Sequence, residues 1–345
     1  MPQLNIVNPL EVPDWDAQVL EFPEATVFHS AAWARVLVES YGFKPHYCVK
    51  YDGEKITAIL PLMQVRDLLG RKKAVCLPFS DFCAPLHSAP ADFDEVFALA
   101  QDTARSNGWR SITIRGDCPF PEGTPTSTSY YRHTLRLNTD LDSLFNGFRD
   151  TTRRNIRKAT QHGVAVEFAT TLDAVREFCR LNCLTRKRHG LPPQPTRFFE
   201  KLHDLVISQG HGQVALGRKD NTVVSASVFL EFGTTAFFKY GASDDRHGDG
   251  YANYAIMWEA IRRYARQGCT EFCFGRTEPQ HQGLLQFKTG WGARQETVNS
   301  FALSTRTGAF CQSELATDGL HNRIFMRMPM PMLEFVGGVL YRFTG

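Results

Sequence analysis

Lys288 stands between two aromatic residues, Phe287 and Trp291, in the run FKTGWG (287–292). A cation aimed at a carbonyl oxygen that gains negative charge contributes most to catalysis where water is excluded. The same lysine could instead extend its alkyl chain over Phe287 or Trp291 and keep its ammonium in water. The residue types suggest either a stabiliser of the oxyanion formed in acyl transfer or a surface lysine, and the sequence leaves both open.

A second polar segment, FGRTE (274–278), lies at the end of a predicted strand. Ligand crevices of α/β sheets open at strand ends, so Arg276 and Glu278 are candidate catalytic residues. Removal of a proton from an attacking amine needs a base within about 3 Å. The candidate bases are Glu278, Asp249 and His281, with a water chain as the alternative route for the proton. No cysteine has a recognisable activating partner.

The loop DRHGDG (245–250) joins a predicted strand to a predicted helix. Backbone N–H groups and the dipole at the start of a helix can hold a phosphate, and Gly248 and Gly250 would let an acyl donor approach that backbone. The alternative is a turn whose glycines only permit positive φ. The corresponding loop of the first repeat, residues 78–90, contains no glycine, so only the second repeat is expected to bind such a donor.

Basic residues cluster on one predicted helix, where Arg154 and Lys158 are candidate ligands for substrate phosphates. A solvated helix face is the favoured alternative, because Arg153 and Arg157 are i,i+4 neighbours that should point outward. Two Cys-x3-Cys pairs, 179/183 and 269/273, have spacing unusual for structural zinc, so no metal site is predicted. Signatures of α/β-hydrolases, P-loop NTPases and zincins are also missing.

An internal repeat supplies the elements that would position these residues. Each copy is predicted to run helix, β-hairpin, strand, loop, helix and strand, an α/β unit with a mixed sheet flanked by helices. Two pairs of turn markers, Gly42 with Gly210 and Asp52 with Asp220, are each 168 residues apart. The predicted elements lie at 30–41, 47–51, 56–65, 74–79, 92–107 and 109–115, and again at 197–209, 213–217, 223–231, 235–240, 251–267 and 270–274.

Between the copies, the sequence predicts a strand over 132–137 and an amphipathic helix over 142–162. We therefore predict a first domain over 1–138 and a second over 139–317. The C-terminal run MPMPMLEFVGGVLYRF is apolar enough to touch a membrane surface, but Glu334 and two glycines interrupt it, so packing against the protein is favoured.

The composition is that of a folded globular protein: 345 residues, 43% hydrophobic and 22% charged. A net charge of +3 gives no sign of a nucleic-acid partner, and DNA is not expected. Nine dispersed cysteines, an N-terminus without signal features and no long apolar run favour the cytoplasm, with at most peripheral membrane contact at its inner face.

The sequence resembles the FemAB-like family, whose members look like tandem GNAT-type N-acyltransferase domains and include peptidoglycan aminoacyltransferases. It is particularly similar to the branch associated with exosortase (PEP-CTERM) and exopolysaccharide systems. The resemblance covers nearly the whole chain. Its motifs are HSAAWARVL (29–37), ILPLMQV (59–65), LPFSDFCAPL (77–86), RRNIRKATQHGV (153–164), FKYGAS (238–243), FGRT (274–277) and FKTGWGA (287–293).

The resemblance implies transfer of an acyl or aminoacyl group to an amine of a cell-wall or envelope precursor, small or lipid-linked. The donor would be acyl-CoA or aminoacyl-tRNA, with no permanently bound cofactor. Lys288 would lie near the transferred carbonyl, and Arg276 and Tyr240 would line the same cleft. Phe79 and Trp291 are further candidate substrate-binding residues. The C-terminal segment 318–345 would return to pack on the first domain.

Two departures from the family bear on the donor. The donor loop has Asp245 where acetyltransferases place Gln or Arg, and the second copy lacks the long helical arm of some tRNA-using members. A non-catalytic binding or scaffold protein with a decayed donor site is the competing interpretation, and a nucleic-acid-binding module is a third.

Overall fold

The computed structural model describes residues 2–246, 250–312 and 320–344. The chain forms two compact units. The first unit comprises Met1–Tyr130, Thr297–Thr317 and Val339–Gly345, and the second comprises Tyr131–Glu296 and Asp318–Gly338. The division near residue 130 lies eight residues before the predicted boundary, because the strand at this point contributes its beginning to the first unit.

The first unit contains a mixed sheet with helices packed against it. Its sheet runs in the order β1-β2-β3-β4-β6, followed by the end of β13, with β5 added to β3. The elements are β1 Pro2–Val7, α1 Trp15–Val19, α2 Ala31–Tyr41, β2 Lys44–Asp52, β3 Lys55–Arg66, β4 Lys72–Cys76, β5 Leu86–His87, α3 Pro90–Asn107, β6 Ser111–Arg115 and β13 Arg294–Ser304.

The second unit repeats this plan with the sheet order β7-β12-β11-β10-β9-β8. Its elements are β7 Thr128–Arg136, α4 Leu141–Asn146, α5 Asp150–Gln161, β8 Ala165–Ala169, α6 Leu172–Arg188, α7 Thr196–Leu202 with a π-helical extension His203–His211, β9 Gly212–Lys219, β10 Thr222–Phe232, β11 Thr235–Ser243, α8 Tyr251–Arg266, β12 Glu271–Thr277, α9 Gln282–Thr289, α10 Leu320–Arg327 and α11 Met330–Leu340.

The predicted repeat is confirmed element by element. In each unit the hairpin, β2-β3 or β9-β10, pairs antiparallel, and the strand before the second helix pairs parallel with the strand after it. The two hairpins close differently. Asp220 and Asn221 both have positive φ, as a type I′ turn requires, whereas the first turn consists of Gly53 and Glu54, of which only the glycine has positive φ.

Two predicted elements have different bounds. The strand predicted over 74–79 ends at Cys76, because Leu77 and Phe79 adopt positive φ, which a strand cannot continue. The helix predicted over 142–162 is divided into α4 and α5. A close approach accompanies this break, since a Cβ on Gly292 would lie 3.1 Å from the Gly147 carbonyl oxygen.

The C-terminal segment does not pack as one piece on the first unit. Residues 320–338 group with the second unit, and only the last residues, from Val339, group with the first. The reason is close backbone packing: a Cβ on Gly337 would lie 2.1 Å from the Pro193 carbonyl oxygen, and one on Gly190 2.4 Å from that of Asn322. No helix in the described ranges has the length and apolar character to cross a membrane.

The core of the first unit holds a histidine–cysteine pair that the sequence did not predict. His29 Nε2 lies 3.2 Å from Cys83 Sγ and 2.9 Å from the Ala84 carbonyl oxygen, while Thr26 N donates to Nδ1 over 3.1 Å. Burial lowers the pKa of His29 to about 4 and raises the pKa of Cys83 well above its usual range. Cys83 thus has a histidine beside it, but burial keeps both groups neutral. We therefore assign the pair a packing role and not a catalytic one.

We expect this histidine to make the protein less stable in acid. Its pKa is about 4 in the fold against 6.5 ordinarily, so the unfolded chain takes up a proton first and the free energy of unfolding falls as pH drops from 6.5 to 4. The full loss is about 3 kcal/mol. Denaturant unfolding of His29→Gln should show a flatter pH dependence than wild type, whereas His211→Gln, at an exposed position, should keep the wild-type slope. An unchanged slope in His29→Gln would assign the acid sensitivity to other groups.

Candidate active site

The parallel strand pair of the second unit opens after three residues. Thr235 of β11 pairs with Glu271 of β12, Ala236 with Phe272, and Phe237 with Cys273. Both strands lie within the described residues and continue past this point, β11 to Ser243 and β12 to Thr277, without further pairing to each other. Backbone groups beyond the last pair therefore need other partners.

Lys288 supplies such a partner from α9. Its Nζ donates to the carbonyl oxygens of Gly275, over 3.2 Å, and Arg276, over 2.9 Å. The lysine is only 3% exposed, so the ammonium is buried against β12 and does not extend into solvent. In such surroundings a fixed positive charge acts on nearby developing charge far more strongly than it would in water.

A bulge in β12 arranges these two carbonyl groups. The register against β7 shifts between Cys273 and Arg276, and Gly275 has a φ of 69°. Consecutive carbonyls of a regular strand point to opposite sides, so one ammonium reaches both only because the backbone turns at Gly275. A residue with a Cβ would be strained at this φ.

His133 of β7 faces the same region and was missed by the sequence analysis. It is buried, its Nε2 lies 3.1 Å from Gln295 Oε1, and burial, followed by the charge of Lys288, lowers its pKa. The available signal was a histidine inside the strand predicted over 132–137, which no motif singled out. His133 is therefore a neutral neighbour of the buried lysine.

Arg132, which is paired in register with Arg276, has its own counter-ion. Arg132 Nη2 lies 2.5 Å from Glu296 Oε2, and this hydrogen bond lowers the pKa of Glu296. Like charges directly opposite in a sheet are destabilising, and the carboxylate offsets that repulsion.

The other candidates on this side lie at the end of β12 and the start of α9. Arg276 and Glu278 are both half-buried. Glu278 Oε2 lies 3.6 Å from His281 Nε2, so two of the three candidate bases are neighbours. The third, Asp249, lies outside the described residues, as does the donor-loop residue Gly248.

Trp291 lies in the core beneath α9. It is fully buried, with ring centroids 5.1 Å from Phe148, 5.9 Å from Tyr254 and 5.9 Å from Phe287. No hydrogen-bond acceptor for its Nε1 is found among the described residues. The sequence placed Trp291 among the substrate-binding residues, whereas the structure gives it a packing position that supports the helix of Lys288.

Lys158 and Gly250 lie together at the start of α8. Gly250 is the N-cap of this helix, and Lys158 Nζ donates to the hydroxyl of the next residue, Tyr251, over 3.1 Å. Arg154, one turn earlier on α5, is exposed. In the donor loop, Asp245 forms an ion pair with Arg188.

The two remaining candidates lie in different units. Tyr240 of β11 is half-buried and packs on Phe178, Phe198 and Phe199, with ring centroids 5.4 to 6.3 Å apart. Phe79 belongs to the first unit and packs on Tyr41, Phe43 and Tyr341. No group of three or more His, Cys, Asp or Glu side chains suited to a metal occurs within the described ranges.

The parallel strand pair of the first unit ends on a different group. Two residue pairs join β4 and β6 in parallel, Ala74 with Ile112 and Val75 with Thr113. Here the loop after β4 returns to the strand end: Cys83 N donates to the Arg115 carbonyl oxygen over 2.5 Å. Backbone thus occupies in the first unit the position that a cationic side chain occupies in the second.

Known proteins share both the sequence pattern and the fold. Residues 146–289 match the family described as Acetyltransferase (GNAT) domain. The Lipid II:glycine glycyltransferase of Staphylococcus aureus (strain COL) is 20% identical, over 85% of this chain and 90% of the relative. The crystal structure of FemX superposes with a TM-score of 0.66 at 14% identity, covering 87% of this chain and 96% of FemX.

Over most of its length the chain thus resembles FemAB-like tandem GNAT proteins. A second solved structure, the tandem GNAT protein from the clavulanic acid biosynthesis pathway, gives a TM-score of 0.57 at 12% identity over 88% of this chain and 99% of its own. The FemAB-like protein is thus an N-acyltransferase with two GNAT-type units, as the sequence motifs predicted. The GNAT match falls on the second unit, which contains Lys288.

Proposed function

We propose that the FemAB-like protein transfers an aminoacyl group from aminoacyl-tRNA to an amine of a lipid-linked cell-wall precursor at the inner face of the membrane. The observation that carries the proposal is the buried Lys288 ammonium, fixed by two carbonyl groups where β12 parts from β11. The name of the S. aureus relative, a lipid II:glycine glycyltransferase, supports the class of acceptor.

In this proposal the acceptor amine attacks the carbonyl carbon of the donor ester. The new C–N bond forms, the carbonyl oxygen takes up negative charge, and Lys288 stabilises that oxyanion. The C–O bond to the donor then breaks, a base removes the ammonium proton, and the leaving hydroxyl receives a proton. Glu278, beside His281, is the base that we propose.

Charge around the donor loop favours aminoacyl-tRNA over a CoA thioester. Asp245, which is paired with Arg188, places a carboxylate in the donor loop. GNAT-type acetyltransferases have glutamine or arginine at this position of the loop. A carboxylate there opposes a pyrophosphate at the start of α8. The exposed arginines of α5 and its N-cap, Arg149, Arg154 and Arg157, offer a cationic face to a polynucleotide donor.

The test is a titration of the full chain with charged tRNA and with acetyl-CoA, followed by turnover assays with a lipid-linked acceptor. We expect binding of charged tRNA that weakens with salt, and aminoacyl transfer to the acceptor amine. Transfer from acetyl-CoA alone would overturn the choice of donor, and transfer to an exopolysaccharide precursor alone would overturn the choice of acceptor. Binding of the acceptor without turnover from either donor would identify a non-catalytic scaffold.

A further inference from the structure

The C-terminal helix α11 is apolar on two opposite faces. Its inner face packs on the second unit through Leu333, which is fully buried, and Gly337. Met332, Phe335 and Val339 follow i, i+3, i+7 spacing on the other side and are 56%, 72% and 41% exposed. A surface helix normally presents polar residues to water, so this outer stripe lacks the expected character.

The preceding helix α10 extends this apolar character and adds positive charge. Ile324 and Met326 are 54% and 46% exposed, and Arg323 and Arg327 are exposed beside them. Residues 320–344 contain three arginines and one acidic residue, Glu334, and all four are exposed. The exposed charge of this segment is therefore mainly positive.

We propose that Met332, Phe335 and Val339, the C-terminal apolar surface, together with Arg323 and Arg327 of the preceding helix, bind the face of an anionic phospholipid bilayer. Exposed apolar side chains flanked by arginine are the composition of helices that lie in the membrane interface. Anionic headgroups would pair with the exposed arginines, whereas a purely apolar protein partner would leave their charge unpaired. The binding does not depend on the reaction proposed above.

The experiment is co-sedimentation of the full chain with vesicles of phosphatidylglycerol and phosphatidylcholine, and with phosphatidylcholine alone. We expect binding to the anionic vesicles, weakened by salt, and little binding to the neutral ones. Phe335→Ser should weaken it about tenfold or more, because a large apolar side chain no longer leaves water. Arg323→Gln with Arg327→Gln should weaken binding to anionic vesicles only.

Leu69→Ser is the matched control, since Leu69 is 73% exposed in the first unit, and it should bind vesicles like wild type. Each variant's thermal unfolding and tRNA binding should be unchanged, which separates this proposal from the proposed function. Absence of wild-type binding to anionic vesicles, or equal losses in Leu69→Ser and Phe335→Ser, would overturn the proposal. So would light scattering that shows a dimer abolished by Phe335→Ser, because the surface would then serve a second copy of the chain.

Discussion

Lys288→Met should reduce kcat by about 10²- to 10³-fold, the usual loss when one oxyanion donor is removed. The substitution keeps most of the side-chain volume and removes the charge. It also leaves the Gly275 and Arg276 carbonyl oxygens without this donor, which should lower stability by about 1–3 kcal/mol. Turnover is measured with the donor that the titration identifies, at a temperature where the variant is folded.

Two readouts separate catalysis from folding in this variant. Circular dichroism and donor binding should remain like wild type while turnover is lost. Lys219→Met, the same change at the end of β9, should retain turnover. Full turnover in folded Lys288→Met would remove the lysine from the mechanism and leave it a role in bracing the bulge.

Trp291→Ala should cost about 3–5 kcal/mol of unfolding free energy, because it empties a fully buried site among aromatic rings. Trp291→Phe should cost much less. It retains an aromatic ring and removes an N–H for which the described residues provide no acceptor. Denaturant unfolding measures both.

The same pair of variants tests whether Trp291 touches substrate. If the tryptophan only packs, Trp291→Phe should leave KM for the acceptor unchanged. A raised KM without a loss of stability would show that Trp291 binds substrate, as the sequence analysis predicted. Phe148→Leu, a change on the opposite side of the same contact, is a packing control.

Local signals made the repeat predictable. Helices α2 and α3 end at Gly42 and Gly108, and Asp-Gly and Asp-Asn pairs mark the two hairpins. These helix-end and turn signals act within a few residues, so they can be recognised in the sequence. The break between α4 and α5 was not predictable in this way, because it accompanies the approach of Gly292 from a distant segment.

The sequence singled out candidate residues but not their arrangement. The motif FKTGWG singled out Lys288, and the sequence left open whether its ammonium lies in water or against a carbonyl. That choice depends on the bulge at Gly275, and the place of His133 depends on the pairing of β7 with β12. Both arise from tertiary structure, which a single sequence does not display.

The parallel strand pairs of the two units end on different groups, and this difference affects which substitutions each copy can accept. In the first unit the hydrogen bond from Cys83 N to the Arg115 carbonyl oxygen is made by backbone alone, so it does not depend on the side chain at either position. In the second unit the corresponding carbonyl groups accept from Lys288 of α9. The helix, the bulge at Gly275 and the lysine must therefore change together. Substitutions at this position are therefore restricted by the need for one side chain in the second unit but not in the first.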